Sequence, residues 1–595
     1  MKNIFNIQKL KSFSLSFTFS VFFIMFFRLF TNEVLNFSRD LGYVASFSVL
    51  YAGLMCLWNN NVRHKRLCLL FVGLYLLSAL LKRCSDMILS EREITHTIGL
   101  AIILFSVVSF IYYTAISLTQ TYLKNSLKII ALILCVIFIL PALLFLGYAA
   151  VNRGFFSADI MLTLFQTNSE EVIAYLQDRN LWHWGMVIVV IVSFIVLYVC
   201  YAVNLKKEGF SVVNYVFVLV WIVYTLYAIM PKLNLCSLVN IIETTRATLH
   251  SFDEFKENKT LRTLRLRNLM KLASDNEQNG VYVLVIGESE NKDHMQLYGY
   301  KRKNTPWLAE LALNKNTVVF ENAYSNHTHT TPTLTYALSG QNQYDNVELD
   351  EAFSLIEAAQ AVGYKTYWIS NQSKYELWET PVTTMASAAD VQHWLNVNSG
   401  DKLFTSYYDE KLVEKIPSYQ TDEKMLIVVH VMGCHGAYRD RYPAKYRHFS
   451  GKDKNIDAYD NSVLYNDYVL QQIYNKVRDY PDFKAFVYFS DHGEDVDNSL
   501  GHESSRFTYR MARIPLIINV SEKFVEENKE KTMAMIKNKD AYWTNDLVYN
   551  LMTSLMDIKG LPNTKAKYDL LSSSYDMPKS KVKLLHGQKD LKQEN

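Results

Sequence analysis

Asp491 and His492 stand side by side in KAFVYFSDHGED, residues 484–495, where an apolar, β-branched and aromatic run stops abruptly. A hard oxygen and an imidazole delivered by the end of a buried strand are donors that a divalent metal accepts. Glu288 closes a second such run, VYVLVIGE. Together the three make a mixed oxygen and nitrogen set of the kind zinc holds in a four-coordinate site. A further donor is available in SNHTHTTPTLTYALSG, residues 325–340. Pro332 suits the first turn of a helix with Thr331 as its cap, which sets Thr330 just ahead of free N–H groups that bind phosphate. A hydroxyl held by zinc loses its proton far more readily than a free one, so Thr330 is a candidate nucleophile, with Thr328 as the alternative. His435, in VVHVMGCHGAYRDRYP, and His502, in SLGHESSRF, have the chemistry to protonate a leaving oxygen or to bind a phosphate.

Those residues all lie in the second half of a lopsided chain. Of 595 residues, the stretch before about residue 231 carries long uncharged runs, and the remainder has ordinary globular composition. Runs long enough for a bilayer, which needs roughly 20 apolar residues, cover Leu10–Leu29, Leu41–Trp58, Ile98–Leu118, Ile129–Val151, Leu181–Leu205 and Ser211–Met230, with a shorter one at Leu67–Leu81. Seven spans with a cytoplasmic N-terminus put Arg63, Lys65, Arg66, Lys124, Lys128, Lys206 and Lys207 inside and the soluble half outside the cytoplasm. A net charge of only +3 gives no sign of a nucleic acid as the main partner. Five of the seven cysteines fall in or beside apolar runs, so cysteine reports neither a disulfide framework nor a thiolate metal site.

Between the fifth and sixth of these seven runs in chain order lies FFSADIMLTLFQTNSEEVIAYLQ, residues 155–177, which is amphipathic. Thr163, Thr167 and Glu171 recur at four-residue spacing on one helix face, either as part of an interfacial connector or as a polar ledge for a lipid head group. Residues 240–279 turn charged and helical, a linker leading away from the membrane. Strands then alternate with helices: VYVLVIGES, TVVFENAY, YKTYWIS, KMLIVVHVMG, KAFVYFSDHGE and IPLIINV. That alternation predicts an α/β sheet buried on both faces, with its site at the carboxyl ends of the strands. Residues 561–595 show little hydrophobic pattern and read as a late strand with a mobile end.

GESENKDHMQLYGYKRKNTPWL, NHTHTTPTL, MGCHG, FSDHGE and LGH, in this order and at these separations, resemble the sulfatase-like domain of the membrane phosphoethanolamine transferases, in the alkaline-phosphatase superfamily. FQTNSEEVIAYL is similar to that family's interfacial helix. The resemblance implies a multi-span α-helical membrane domain (1–239, interfacial helix 155–177), a linker (240–279), an α/β sulfatase-like sandwich (280–560) and a tail (561–595). It implies a zinc ion on Glu288, Thr330, Asp491 and His492. Thr330 is then the nucleophile that takes phosphoethanolamine from phosphatidylethanolamine and passes it to lipid A, a lipopolysaccharide core sugar or another envelope glycan. His435 and His502 fall at donor-phosphate positions where a second zinc is sometimes held, Lys374 near a phosphate contact, and Thr163, Thr167 and Glu171 at head-group positions. The setting implied is the bacterial inner membrane, crossed several times, with the catalytic domain facing the periplasm.

The chain departs from the lipid A-modifying members, whose disulfides it lacks. Cys434 stands where Asn is common, and the spacing from Thr330 to Pro332 differs, which keeps Thr328 open. A phosphoglycerol transferase or phosphodiester hydrolase of the same superfamily is the nearer alternative. A non-catalytic transporter or receptor is the further one.

Overall fold

The structure is a computed structural model describing residues 62–84, 89–166, 235–272, 280–374, 380–396, 407–419 and 423–594, with isolated positions at 185, 188, 191, 192 and 223. The chain divides into two compact units: residues 1–161 with 179–246, and residues 162–178 with 247–595.

In the first unit, α1 (Val62–Cys84), α2 (Glu91–Ser117) and α3 (Thr121–Asn152) pack around Phe71, Tyr75, Ile98, Phe105, Ala131 and Ile139. Among the described residues, 92–116 and 121–152 are long and apolar enough to cross a membrane, and Cys68–Lys82 is a shorter apolar stretch inside α1. On α3, Ile129, Ile133, Ile137, Leu140 and Leu144 are exposed, a stripe suited to lipid rather than water. The expected spans Leu10–Leu29, Leu41–Trp58, Leu181–Leu205 and Ser211–Met230 lie outside the described residues, isolated positions aside. A short helix, α4 (Ala158–Gln166), carries Thr163; Thr167 and Glu171 lie outside the described residues.

Helix α5 (Ser237–Glu257) runs straight through the boundary expected at residue 239, and α6 (Lys259–Leu272) follows it. These helices do not behave as a free linker. Phe252, Phe255, Leu266 and Met270 are buried in the core of the second unit. Arg262, 1% exposed, stacks its guanidinium 3.7 Å from the Phe255 ring centre and pairs with Glu357 at 3.3 Å, so burying this charge is offset by a partner.

The second unit is built on β1 (Val281–Gly287), α7 (Pro306–Leu311), β2 (Thr317–Val319), β3 (Asn322–Tyr324), α8 (Thr330–Ala337), α9 (Leu355–Ala361), β4 (Lys365–Ser373), β5 (Val391–Asn396), β6 (Met425–His430), α10 (Lys454–Val477), β7 (Phe483–Ser490), β8 (Leu516–Val520), β9 (Tyr542–Thr544) and α11 (Val548–Leu555). Seven strands form one sheet in the order β2-β8-β7-β1-β6-β4-β5. The run from β7 to β5 is parallel, with β8 antiparallel to β7 and β2 antiparallel to β8. Tyr282, Leu284 and Ile286 of β1 enter one core with α8, α9 and α11, while Val281, Val283 and Val285 enter another with α10. Both faces are covered, which is why the strands read as continuous apolar runs.

The segment expected to be a mobile tail is integral to this unit. Leu570, Leu571, Val582, Leu584 and Leu591 are buried in the first core, and β10 (Lys583–Leu584) pairs with β11 (Lys589–Asp590). Apolar side chains within tight turns give burial without a helix or strand period, so pattern alone does not reveal them.

Candidate active site

Register assembles the site. Gly287 pairs with Ser490, and Ile286 with His430, so β7, β1 and β6 end in step. The next residues on β1 and β7, Glu288 and Asp491, therefore emerge side by side on the face shared with Ile286 and Phe489. His492 follows directly, and Glu288, Asp491 and His492 bring ligand atoms within 4.8 Å of one another, all buried. Ser289 holds the adjoining turn at φ 58°, an uncommon conformation for a residue with a side chain. Its N–H donates to Asp491 Oδ1 at 3.0 Å, and its carbonyl accepts from Tyr459 at 2.7 Å. From β6, Gly433 turns at φ +50°, so close to Glu288 that a Cβ would meet its main chain at 3.0 Å.

Thr330 arrives from the other side. It is the first residue of α8, and its Oγ1 donates to Glu288 Oε2 at 3.1 Å. The cap is His329, with extended backbone, rather than the expected Thr331. Pro332 therefore sits third in the helix, still within the turn whose N–H groups have no intrahelical partner. Thr328 is fully buried with no hydrogen-bond partner for its Oγ1.

The donor set fits a divalent ion. His492 Nδ1 donates to the carbonyl of Gly493 at 3.1 Å, which leaves Nε2 as the ligand nitrogen. That Nε2 lies 3.4 Å from both Glu288 Oε1 and Asp491 Oδ2, yet neither Nε2 nor Oδ2 makes an aligned hydrogen bond. A buried ligand atom without a partner is costly unless something such as an ion satisfies it. Burial and the Glu288 charge push Asp491 up to about 7. Burial acts the same way on Glu288, but His492 outweighs it and holds that carboxyl well below the usual range. His492 itself rises to about 10, because Asp491 and Glu288 overcome burial.

His502 lies beside this cluster, its ring 4.5 Å from that of His492 and its Nδ1 2.8 Å from Glu494 Oε1. His435 sits on the loop after β6, whose main chain is fixed by Asp409 accepting from Met432 N and Gly433 N at 2.9 Å each. Burial lowers His435 to about 4, despite the opposing Glu288 charge. Lys374 lies at the β4–β5 edge, 3.5 Å from Gln392 Oε1 and 5.8 Å from the Trp394 ring centre. Nearby on β4, Gln372 approaches Glu288, its Nε2 3.5 Å from Oε2, and donates to the Val431 carbonyl at 3.0 Å. Sequence reasoning missed Gln372, although it stands two residues beyond Ser370, which pairs with His430. It also missed His430, buried at the end of β6 and lowered to about 4 by burial.

A metal-ready cluster at the carboxyl ends of parallel strands, with a hydroxyl at a helix start, defines the class, and residues 281–558 match the Sulfatase family. Within that match the chain is similar to proteins named as phosphoethanolamine transferases. It is 32% identical over 286 residues to Phosphoethanolamine transferase EptC of Escherichia coli strain K12, across 43% of this chain and 48% of that relative. It is 30% identical over 264 residues to Phosphoethanolamine transferase CptA of Salmonella typhimurium strain LT2, across 41% of this chain and 45% of that relative. These alignments span about half the length of the curated relatives. The fold extends further: the integral membrane lipooligosaccharide phosphoethanolamine transferase A (EptA) from Neisseria meningitidis aligns over 86% of this chain and 98% of its own, at 16% identity and a TM-score of 0.56.

Proposed function

We propose that the protein transfers phosphoethanolamine from phosphatidylethanolamine to an envelope acceptor (lipid A, a lipopolysaccharide core sugar or another glycan) by way of a phospho-Thr330 intermediate. The observation that carries this is the 3.1 Å contact of Thr330 Oγ1 with Glu288 inside the Glu288, Asp491 and His492 cluster. Glu288, Asp491, His492 and Thr330 would hold one zinc ion. The chemistry zinc supplies in such a site is a lowered hydroxyl pKa and relief of charge on phosphoryl oxygens.

Thr330 Oγ1 attacks phosphorus as its proton passes to solvent, from which His502 regains the one it gives up; the bond to the diacylglycerol oxygen breaks, and phosphoethanolamine is left on the threonine. His502, whose Nδ1 meets Glu494 at 2.8 Å, would give the departing oxygen its proton through Nε2. His435, neutral at physiological pH, serves as a phosphate contact. An acceptor hydroxyl then attacks the same phosphorus and Thr330 departs, its proton made up by the one the acceptor loses. The start of α8 offers N–H groups to the phosphoryl oxygens throughout. The apolar helices of the first unit anchor the chain in the bacterial inner membrane with the catalytic unit on the periplasmic side, where donor lipid is at hand; Thr163, Thr167 and Glu171 are assigned to its head group and Lys374 to a phosphate contact.

Labelled phosphatidylethanolamine and thin-layer analysis test this. A transferase yields diacylglycerol together with a modified acceptor; release of free phosphoethanolamine alone would make the protein a hydrolase.

A further inference from the structure

Behind the site, two buried carboxamides join its halves. Asn545, just after β9, accepts through Oδ1 from the main-chain N–H and from Nδ2 of Asn326, both at 2.8 Å. Its own Nδ2 donates to the carbonyl of Asp491 at 2.6 Å and to that of Ser490 at 3.4 Å. Asn326 Nδ2 also donates to the carbonyl of Thr333, in the first turns of α8, at 3.2 Å. Asn326 Oδ1 accepts from His586 Nε2 at 2.9 Å, and His586 N donates to the Asn326 carbonyl at 3.2 Å. Both asparagines are fully buried. Their amides have one self-consistent orientation, because turning Asn545 over would set its NH2 against two N–H donors.

His586 comes from the turn between β10 and β11. Its ring stacks at 4.0 Å and 20° on Tyr336, which belongs to the helix that Thr330 begins. One continuous set of contacts thus runs from the C-terminal hairpin to the peptide between Asp491 and His492 on one branch, and to α8 on the other.

We infer that Asn326 and Asn545 are positioning residues that fix the spacing between the Asp491–His492 turn and the Thr330 helix, and that His586 locks them from the hairpin. The inference rests on the zinc and Thr330 reading above. Ligand geometry depends on the groups that hold the ligands, and here the held atoms are the carbonyl that joins two ligands and the helix that presents the nucleophile.

The test uses the full chain in detergent. Asn545→Asp keeps the shape and the acceptor for Asn326 but turns an oxygen toward the Asp491 carbonyl. Zinc affinity, measured by chelator competition, falls roughly 10–100-fold, and kcat falls by a similar factor while KM for phosphatidylethanolamine stays within about twofold. His586→Ala loses roughly tenfold in zinc affinity, and His586→Gln, whose amide nitrogen reaches the same acceptor, recovers most of it. Folded Asn545→Asp with wild-type zinc affinity and kcat overturns the inference. Should Asn545→Asp fail to fold, His586→Ala that binds zinc normally, or His586→Gln no better than His586→Ala, overturns it. Wild-type protein that binds no zinc, or that survives Thr330→Ala, sinks the underlying reading instead.

Discussion

Thr330 Oγ1 and Glu288 Oε2 are 3.1 Å apart although one belongs to a helix start and the other to the end of the central strand. A hydroxyl that already donates its proton to a carboxylate keeps its oxygen lone pairs free to act. The contact therefore orients Thr330 before any substrate arrives, and it distinguishes Thr330 from the enclosed Thr328.

Thr330→Ala is expected to lower transfer at least 10³-fold, in line with loss of a nucleophile. Thr328→Ala should keep activity within about tenfold, its cost arising from packing. Mass spectrometry of trapped enzyme should find phosphoethanolamine on residue 330; finding it on 328 would reverse the assignment.

Removing metal with a chelator should abolish activity, and zinc should restore it. Because Glu288, Asp491 and His492 bring buried donor atoms together, zinc binding to the folded chain should also raise thermal stability, by about 4 kcal/mol when zinc is 1,000 times its Kd. A melting temperature indifferent to zinc would count against the site.

Asp467 should make stability depend on pH. It accepts from the N–H groups of Trp307 and Leu308, each at 2.9 Å, and burial pushes it up from 3.8 to about 7 despite those bonds. The folded value lies above the unfolded one, so its contribution is complete below about pH 4 and is lost as pH rises through 7. The difference amounts to at most about 4 kcal/mol over that window. Melting curves from pH 5 to 8 should show wild type losing ground to Asp467→Asn as pH rises; parallel trends would refute the assignment.

Leu591→Ala should cost about 2–5 kcal/mol, the penalty of a core cavity. A chemical-denaturation difference below about 0.5 kcal/mol would mean that the C-terminal segment adds little to the core, contrary to its burial.

The strands carrying Glu288, Asp491 and His492 are legible because each is a buried apolar run that ends at a polar residue. The helix start at Thr330 is legible from Pro332, though its cap is not, since His329 holds that place by backbone conformation alone. Gln372, Asn326 and Asn545 leave no trace in the sequence: each is an ordinary amide in a polar context, and its importance arises from partners far away in the chain. The half-buried edge strand β5 and the irregular C-terminal packing escape for a related reason, lacking the periodicity that pattern reading needs.

Strand β1 sits at the centre of the sheet, yet both its neighbours, β6 and β7, follow it in the chain. During synthesis Glu288 and Thr330 exist well before the strand that brings Asp491 and His492. Pairing across such separations is slow, because loop closure precedes any reward from contact. A partly delivered chain therefore holds Glu288 and Thr330 without Asp491 and His492. The cluster of Glu288, Asp491 and His492 with Thr330 comes into being only as folding is completed.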